Sequence, residues 1–309
     1  MIVTLTPNPS IDRTVATGRL VTGEVNRASS TRIDPGGKGV NVSRALHRNG
    51  HATLAVLPLG GPDGQSHRRL LDDAAVPYVA VPCVGDTRTN IAIVDTDGTT
   101  TKINEPGPHL DAAVLDALVD TVPADADWVV LCGSLPAGAT PEWLAGVVAA
   151  VPGRVVVDTS GAPLAAAVSR SPHLIKPNRE ELEELVSQPL RTVGDVIEAA
   201  HGLIADGVGV VVASLGGDGA LWVSDAGVWL ASATVERPLS SVGAGDCLLA
   251  GLLAALDDGA PPAVALSQGV TWGAAAVSLP GSVVPGPNDV SGRSVACINN
   301  PDPAIPLSA

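Results

Sequence analysis

Apolar segments of strand length at residues 2–6, 53–58, 128–132, 155–158, 173–176 and 208–214 alternate with helix-length patterns, among them 111–119, 141–150 and 192–206. Near-continuous apolar runs mark strands buried on both faces, and parallel neighbours need helical crossovers between them. The alternation therefore predicts an α/β chain, a doubly wound and mainly parallel sheet with helices on both faces. With 309 residues and 45% hydrophobic content, a single domain spanning 1–309 buries a core of that kind.

Two stretches break the rhythm, about 12–34 and 86–105. Both are rich in β-branched residues and punctuated by turns such as Thr22-Gly23 and Asp97-Gly98, without helical periodicity. They read as a small sheet inserted in the α/β core and projecting from it, a lid whose outer strand edges invite a second copy of the chain, so a homodimer through the lid sheets is expected. From residue 285 onward, Pro and Asn suggest irregular surface chain.

The net charge of −14 argues against nucleic acid or an anionic membrane as partner, because both reward a basic face. No apolar run reaches the length of a membrane span, and the opening residues show no secretory leader. Cys83, Cys132, Cys247 and Cys297 lie far apart, without metal-ligand spacing or a disulfide framework, so a cytoplasmic setting is expected.

Any anionic ligand must then be held by a local cluster, and the glycines show where. Gly243, Ala244 and Gly245 precede Asp246 and a long apolar run, which reads as a helix N-terminus with its first amides open to an anion. A carboxylate set beside an anion has one obvious task, taking a proton from an attacking hydroxyl. The chain has three lysines, Lys38, Lys102 and Lys176. Lys38 lies in Gly36-Gly37-Lys38-Gly39-Val40-Asn41, a glycine loop opening a helix, where backbone amides and Asn41 can meet sugar hydroxyls and Lys38 an anion. The spacing is not that of a Walker A loop. Arg27 and Arg88, the latter close to Asn90, fall in the two lid pieces; with Lys38 they have the charge to bind a phosphate dianion.

Lys176-Pro177-Asn178 follows a strand, and Glu181 three residues beyond Asn178 has the spacing of a capping box or of a carboxylate facing hydrated Mg²⁺. Ser214, Gly216, Gly217 and Gly219 form a turn at a strand end, where open α/β sheets meet ligands, without the spacing of a dinucleotide fingerprint. Asp12 and Ser134 also sit at strand ends, as sugar contacts or as ordinary turn residues.

Residues 4–12 (TLTPNPSID), the Gly36 to Asn41 loop, Lys176-Pro177-Asn178 and Val242-Gly243-Ala244-Gly245-Asp246 together resemble the ribokinase-like (PfkB) carbohydrate kinases. Within them the chain looks most like the 1-phosphofructokinase and tagatose-6-phosphate kinase branch. The resemblance implies a three-layer α/β domain with a β-sheet lid, and transfer of a phosphoryl group from ATP, with Mg²⁺, to a sugar-phosphate hydroxyl. By position it implies Asp246 as general base in the Gly243-Ala244-Gly245-Asp246 motif, with the amides of Ala244, Gly245 and Asp246 stabilising charge on the transferred phosphoryl. Asp12, Gly36, Gly37, Asn41, Asn90 and Ser134 would hold the sugar, and Arg27, Lys38 and Arg88 its phosphate. Lys176, Asn178, Ser214, Gly216, Gly217 and Gly219 would line the nucleotide site, with Glu181 facing Mg²⁺ through water. In some members carbonyls like those of Ser240 and Val242 take a monovalent cation such as K⁺. Fructose 1-phosphate and tagatose 6-phosphate are the expected acceptors. A kinase for an unphosphorylated sugar or nucleoside, and a non-catalytic sugar-phosphate sensor, stand as alternatives.

Overall fold

The computed structural model describes residues 1–308. Strand β1 (Ile2–Leu5) lies inside a ten-stranded sheet flanked by β4 (Thr53–Leu59) and β5 (Tyr78–Pro82) on one side. On the other run β8 (Trp128–Cys132), β9 (Arg154–Asp158), β10 (Leu174–Ile175) and β11 (Val210–Ser214), all parallel to their neighbours. An antiparallel extension then adds β12 (Ala220–Ser224), β13 (Gly227–Ser232) and β14 (Ala296–Asn299).

The two-residue period of the strands divides the interior into two cores. Val129 and Leu131 of β8 and Val155 and Val157 of β9 face one core, which also takes Leu115 of α3 (Ala112–Asp120), Leu144 of α4 (Pro141–Ala150) and Leu203 of α7 (Val193–Ala205). Trp128, Val130, Cys132 and Val156 face the other, against α1 (Lys38–Arg48), α8 (Ala244–Asp257) and α9 (Pro262–Val277). The same period turns Asp158 toward α1 and α8. Helix α8 is buried from Asp246 through Ala255, as expected of a helix apolar all round and enclosed by neighbours. Its approach to α9 requires Gly251, since a Cβ there would stand 2.7 Å from Cγ of Trp272.

The expected lid is a four-stranded sheet in the order β3-β2-β6-β7, from β2 (Ser10–Thr17), β3 (Ala28–Gly36), β6 (Arg88–Val94) and β7 (Thr100–Asn104). It is mixed: β2 runs parallel to β6 and antiparallel to β3. The β2/β3 ladder starts deeper than residues 12–34, pairing Ser10 with Gly36 and Asp12 with Asp34, so the lid strands descend directly into the site.

The C-terminal stretch corrects the expectation of irregular chain. After a short helix α10 (Pro287–Val290), β14 completes the sheet edge and residues 300–308 form a strap over the start of α7. The amides of Val193 and Gly194 donate to the carbonyls of Ile305 and Pro303, both at 2.9 Å, and Ile305 and Leu307 pack on the first core. Ser308 ends the strap on the Asp218 carboxylate, with its N at 2.7 Å and its Oγ at 2.8 Å. Proline and asparagine hide this order because the strap borrows its hydrogen bonds from α7 rather than making its own.

Two glycines of α7 test this packing. A Cβ at Gly194 would lie 2.9 Å from both Cβ and O of Pro303, whereas nothing lies within 4 Å of one at Gly202. In denaturant unfolding, Gly202→Ala should raise stability by about 0.5–1 kcal/mol, and Gly194→Ala should lower it by about 1–3 kcal/mol through overpacking.

Candidate active site

Helix α8 opens at Gly243, whose φ of 74° is a left-handed conformation that glycine adopts without strain. No acceptor takes the amides of Gly245 and Asp246 among the described residues, so the first turn presents open donors at the positive end of the helix dipole. Both glycines keep the space before these amides clear. A Cβ at Gly245 would stand 3.5 Å from Nζ of Lys176, and one at Gly243 would stand 3.7 Å from Nδ2 of Asn41. The result is a cradle faced by two backbone donors, an ammonium and an amide.

Asp246 lies inside that cradle, 7% exposed. Nδ2 of Asn41 donates to its Oδ2 at 2.9 Å, while Oδ1 has no hydrogen-bond partner among the described residues. Burial, reinforced by the Asp158 charge, pushes the Asp246 carboxyl up to about 6, against the opposing pull of Lys38, Asn41 and Lys176. Such a carboxylate is ionised at neutral pH and still basic enough to accept a proton.

Asp158 is the functional residue missed by the sequence reading, which treated it only as the last residue of a strand. Its side chain is fully buried, with Oδ1 2.8 Å from Nζ of Lys38 and Oδ2 3.1 Å from Nζ of Lys176. Burial works to raise its pKa, but the two lysines together hold it below the usual carboxylate range. The signal available was its place at the carboxyl end of a parallel strand, where such sheets meet ligands. Lys38 also lies 3.7 Å from Oε1 of Glu181. Burial works against its charge, yet Asp158, Glu181 and Asp246 raise its pKa far above the usual lysine value.

Of the three cations expected to bind the phosphate, Lys38 has protein partners distinct from those of Arg27 and Arg88. Lys38 belongs to the cluster of Asp158, Glu181 and Asp246, drawn there because α1 begins against the end of β9. Arg27 is exposed, and its guanidinium makes no hydrogen bond or ion pair among the described residues. Arg88 is half-buried, with Nη1 3.1 Å from the Glu105 carbonyl and Nε unpartnered. Gly107 leaves room between Arg88 and Asn8: a Cβ there would collide with Oδ1 of Asn8 and lie 3.3 Å from Cδ of Arg88.

Asp12, Ser10 and Asn90 form a tight group where β2 meets β6. Oδ1 of Asp12 accepts from Oγ of Ser10 at 2.8 Å and from Nδ2 of Asn90 at 3.2 Å. Burial raises the Asp12 carboxyl, with Ser10 and Asn90 opposing it. Gly36 is required beside it, since a Cβ would run into the carboxylate. Gly37 caps α1 with a φ of 113°, close against Thr6. The buried Oδ1 of Asn8 and Oδ1 of Asn90 lack partners, and Ser134 Oγ meets Nδ2 of Asn8 at 3.2 Å. Hydroxyl-rich ligands suit such a wall of unpaired acceptors and donors.

On the far side of the cradle, Asn178 and Glu181 form the capping box of α6 (Arg179–Val186). The box uses Oε2 of Glu181, leaving Oε1 toward Lys38. Ser214 bridges to Asn178, bringing both strand ends together. Gly216 and Gly217 face open space, while Gly219 is needed for packing, because its Cβ would collide with the Ala231 carbonyl on β13. Ser240 and Val242 lie in the loop before α8, which is tied to α9 by the amides of Leu239 and Ser240 donating to the Val277 carbonyl.

Lys176 is 4% exposed, so its loss leaves a buried carboxylate with one fewer counterion. Lys176→Met should lower the unfolding free energy at neutral pH by about 3–5 kcal/mol, measured by denaturant titration.

The sequence pattern of the pfkB family carbohydrate kinases matches residues 6–289. A 1-phosphofructokinase of Xanthomonas campestris pv. campestris is 42% identical over 270 residues, 84% of this chain and 85% of that protein. One from Haloferax volcanii is 37% identical, covering 94% of this chain and 95% of its own. Phosphofructokinase-2 from Escherichia coli, solved in complex with substrates and products, superposes with a TM-score of 0.89 at 32% identity, over 94% of this chain and 96% of that one. Structures of that enzyme also exist in complex with potassium and as a tetrameric inhibited form. On the match along most of its length and on the cradle around Asp246, this chain belongs to the pfkB family of carbohydrate kinases.

Proposed function

We propose that this chain transfers the γ-phosphoryl group of ATP to the free terminal hydroxyl of fructose 1-phosphate, yielding fructose 1,6-bisphosphate and ADP. The observation that carries this reading is Asp246, buried in a glycine-lined anion cradle with Oδ1 unengaged and an elevated pKa. The 1-phosphofructokinases of two organisms, at 42% and 37% identity, favour fructose 1-phosphate over other ketohexose phosphates.

In this reading Oδ1 of Asp246 takes the hydroxyl proton as the sugar oxygen bonds to the γ-phosphorus and the bond to the β,γ-bridging oxygen breaks. The amides of Gly245 and Asp246, with Lys176, face the charge on the transferring group. Lys38 stays cationic and balances the same charge from α1. Asp12, Asn90 and the backbone beside Gly36 and Gly37 hold sugar hydroxyls, and Arg88, with Arg27 from the lid, receives the existing phosphate. The open turn at Gly216 and Gly217, beside Asn178 and Ser214, takes the nucleotide.

Among the described residues no group of three or more His, Cys, Asp and Glu side chains forms a metal cage. That suits Mg²⁺, which keeps most of its waters, binds phosphate oxygens and needs one or two carboxylates. Oε1 of Glu181 fits this role, and Mg²⁺ when bound neutralises phosphate charge. The carbonyls of Ser240 and Val242 are assigned to a monovalent cation, in keeping with the potassium complex of the E. coli relative. The lid supports a homodimer: Val25 is 78% and Ile103 54% exposed on it, and every residue of β7 is exposed. The four cysteines are free thiols, in keeping with a cytoplasmic setting.

Asp246→Asn should reduce kcat about 10²–10⁴-fold with little change in substrate binding. Because the base works ionised, kcat/KM of the wild type should rise with pH through a limb near 6 and flatten above it. Arg88→Met should raise KM for fructose 1-phosphate about tenfold to a hundredfold. The deciding measurement is Mg-ATP turnover with fructose 1-phosphate, tagatose 6-phosphate, fructose 6-phosphate and the unphosphorylated sugars. Turnover only with unphosphorylated acceptors overturns the substrate assignment, and binding without turnover makes the protein a sensor.

A further inference from the structure

We propose that Arg44 is a positioning residue that locks the Asn41 side-chain amide in the one orientation able to donate to Asp246, and so ties the base to the root of the lid. The proposal rests on the reading of Asp246 as the base.

Asn41 and Arg44 are three residues apart on α1 and therefore share a face. Nη1 of Arg44 donates to Oδ1 of Asn41 at 2.9 Å, and from Asn41 the Nδ2 group donates to Oδ2 of Asp246 at 2.9 Å. A guanidinium has donors only, so the Asn41 carbonyl must face it and the NH₂ group must face the carboxylate. The reversed amide would set oxygen against the Asp246 carboxylate and NH₂ against the guanidinium. Arg44 itself cannot drift, being 8% exposed, with the Pro35 and Ser282 carbonyls 3.1 and 3.2 Å from Nη1. Its Nη2 lies 3.6 Å from Oδ1 of Asp34, which Arg32 also grips through two hydrogen bonds of 2.7 and 2.8 Å.

Asp34 pairs with Asp12 across the β2/β3 ladder. The chain Asp34, Arg44, Asn41, Asp246 thus runs from the sugar-facing lid strands to the base without leaving the protein interior. An arginine that only pinned α1 to the adjoining loops would need Pro35 and Ser282, but not Asn41.

The test is the titration of the Asp246 carboxyl by ¹³C NMR, with the pH profile of kcat/KM beside it, in Arg44→Lys, Arg44→Met, Asn41→Ala and the double variants. Asp158, Lys38, Lys176 and Cys132 face Asp246 from other elements, and Cys247, Asp12, Asp34, Arg32 and His67 surround Arg44; all stay unchanged. Arg44→Lys keeps the charge and loses the planar fork, so the midpoint should rise by about one pH unit, a tenfold change in the ionisation ratio. Adding either Arg44 substitution to Asn41→Ala should move it no further. An unchanged midpoint in folded Arg44→Lys, or shifts that add in the double variant, would overturn the proposal, since a purely electrostatic effect persists without Asn41. Should Arg44→Met not fold, the lysine variant and its double carry the test alone. A midpoint that moves while the kcat/KM limb stays fixed upholds the positioning role and removes Asp246 as base.

Discussion

The layout of the site depends on the contact between the Asp158 carboxylate and two ammonium groups. Fully buried at the end of β9, this carboxylate bears a desolvation cost of several kcal/mol that only close counterions offset. Those counterions come from separate elements, Lys38 from the first residue of α1 and Lys176 from the residue after β10. Moving Asp158 would strand the buried Lys176 ammonium, and moving either lysine would leave the buried carboxylate with a single counterion. The grip therefore fixes the entrance of α1, which carries Asn41, and the end of β10, which leads to Asn178. Helix α8 then needs only to place its first turn opposite them, and its unbroken apolar packing does so.

A protein of net charge −14 that handles phosphorylated ligands separates long-range from short-range electrostatics. Surface carboxylates are screened beyond about 8 Å at physiological ionic strength. Inside the cradle, open amides and ammonium groups act at hydrogen-bond distance in a poorly screened interior. Local donors therefore outweigh the overall charge once a ligand has entered.

Much of this was legible in the sequence, for identifiable reasons. The apolar runs that became β1, β4, β8, β9 and β11 show themselves because strands buried on both faces leave little room for polar residues. Gly243 and Gly245 were legible as a helix entrance because no other residue type leaves the amides so open. Asp158 was not, because a lone aspartate after three valines looks the same whether it ends a strand in solvent or in a buried ion pair. Lys38 was visible as a charge but not as a partner: the sequence places it in a glycine loop and says nothing of the β9 end that it meets. The strap over α7 escaped because its order comes from α7 and Asp218, 90 or more positions away. Arg44 was hidden as an ordinary charge on a helix, because Asp34 and Ser282 reach it from other segments and only the folded α1 sets it beside Asn41.

Scarce lysine governs the labelling of this protein by electrophilic, amine-directed reagents, which only the neutral amine attacks. Lys176 is buried against Asp158, and Lys38 is held in its protonated form by the surrounding carboxylates. Lys102, on the exposed strand β7, is the remaining lysine and lies open to solvent. A lysine-selective fluorophore will therefore settle on the four-stranded sheet and spare the cradle, giving a native-sequence optical reporter on β7.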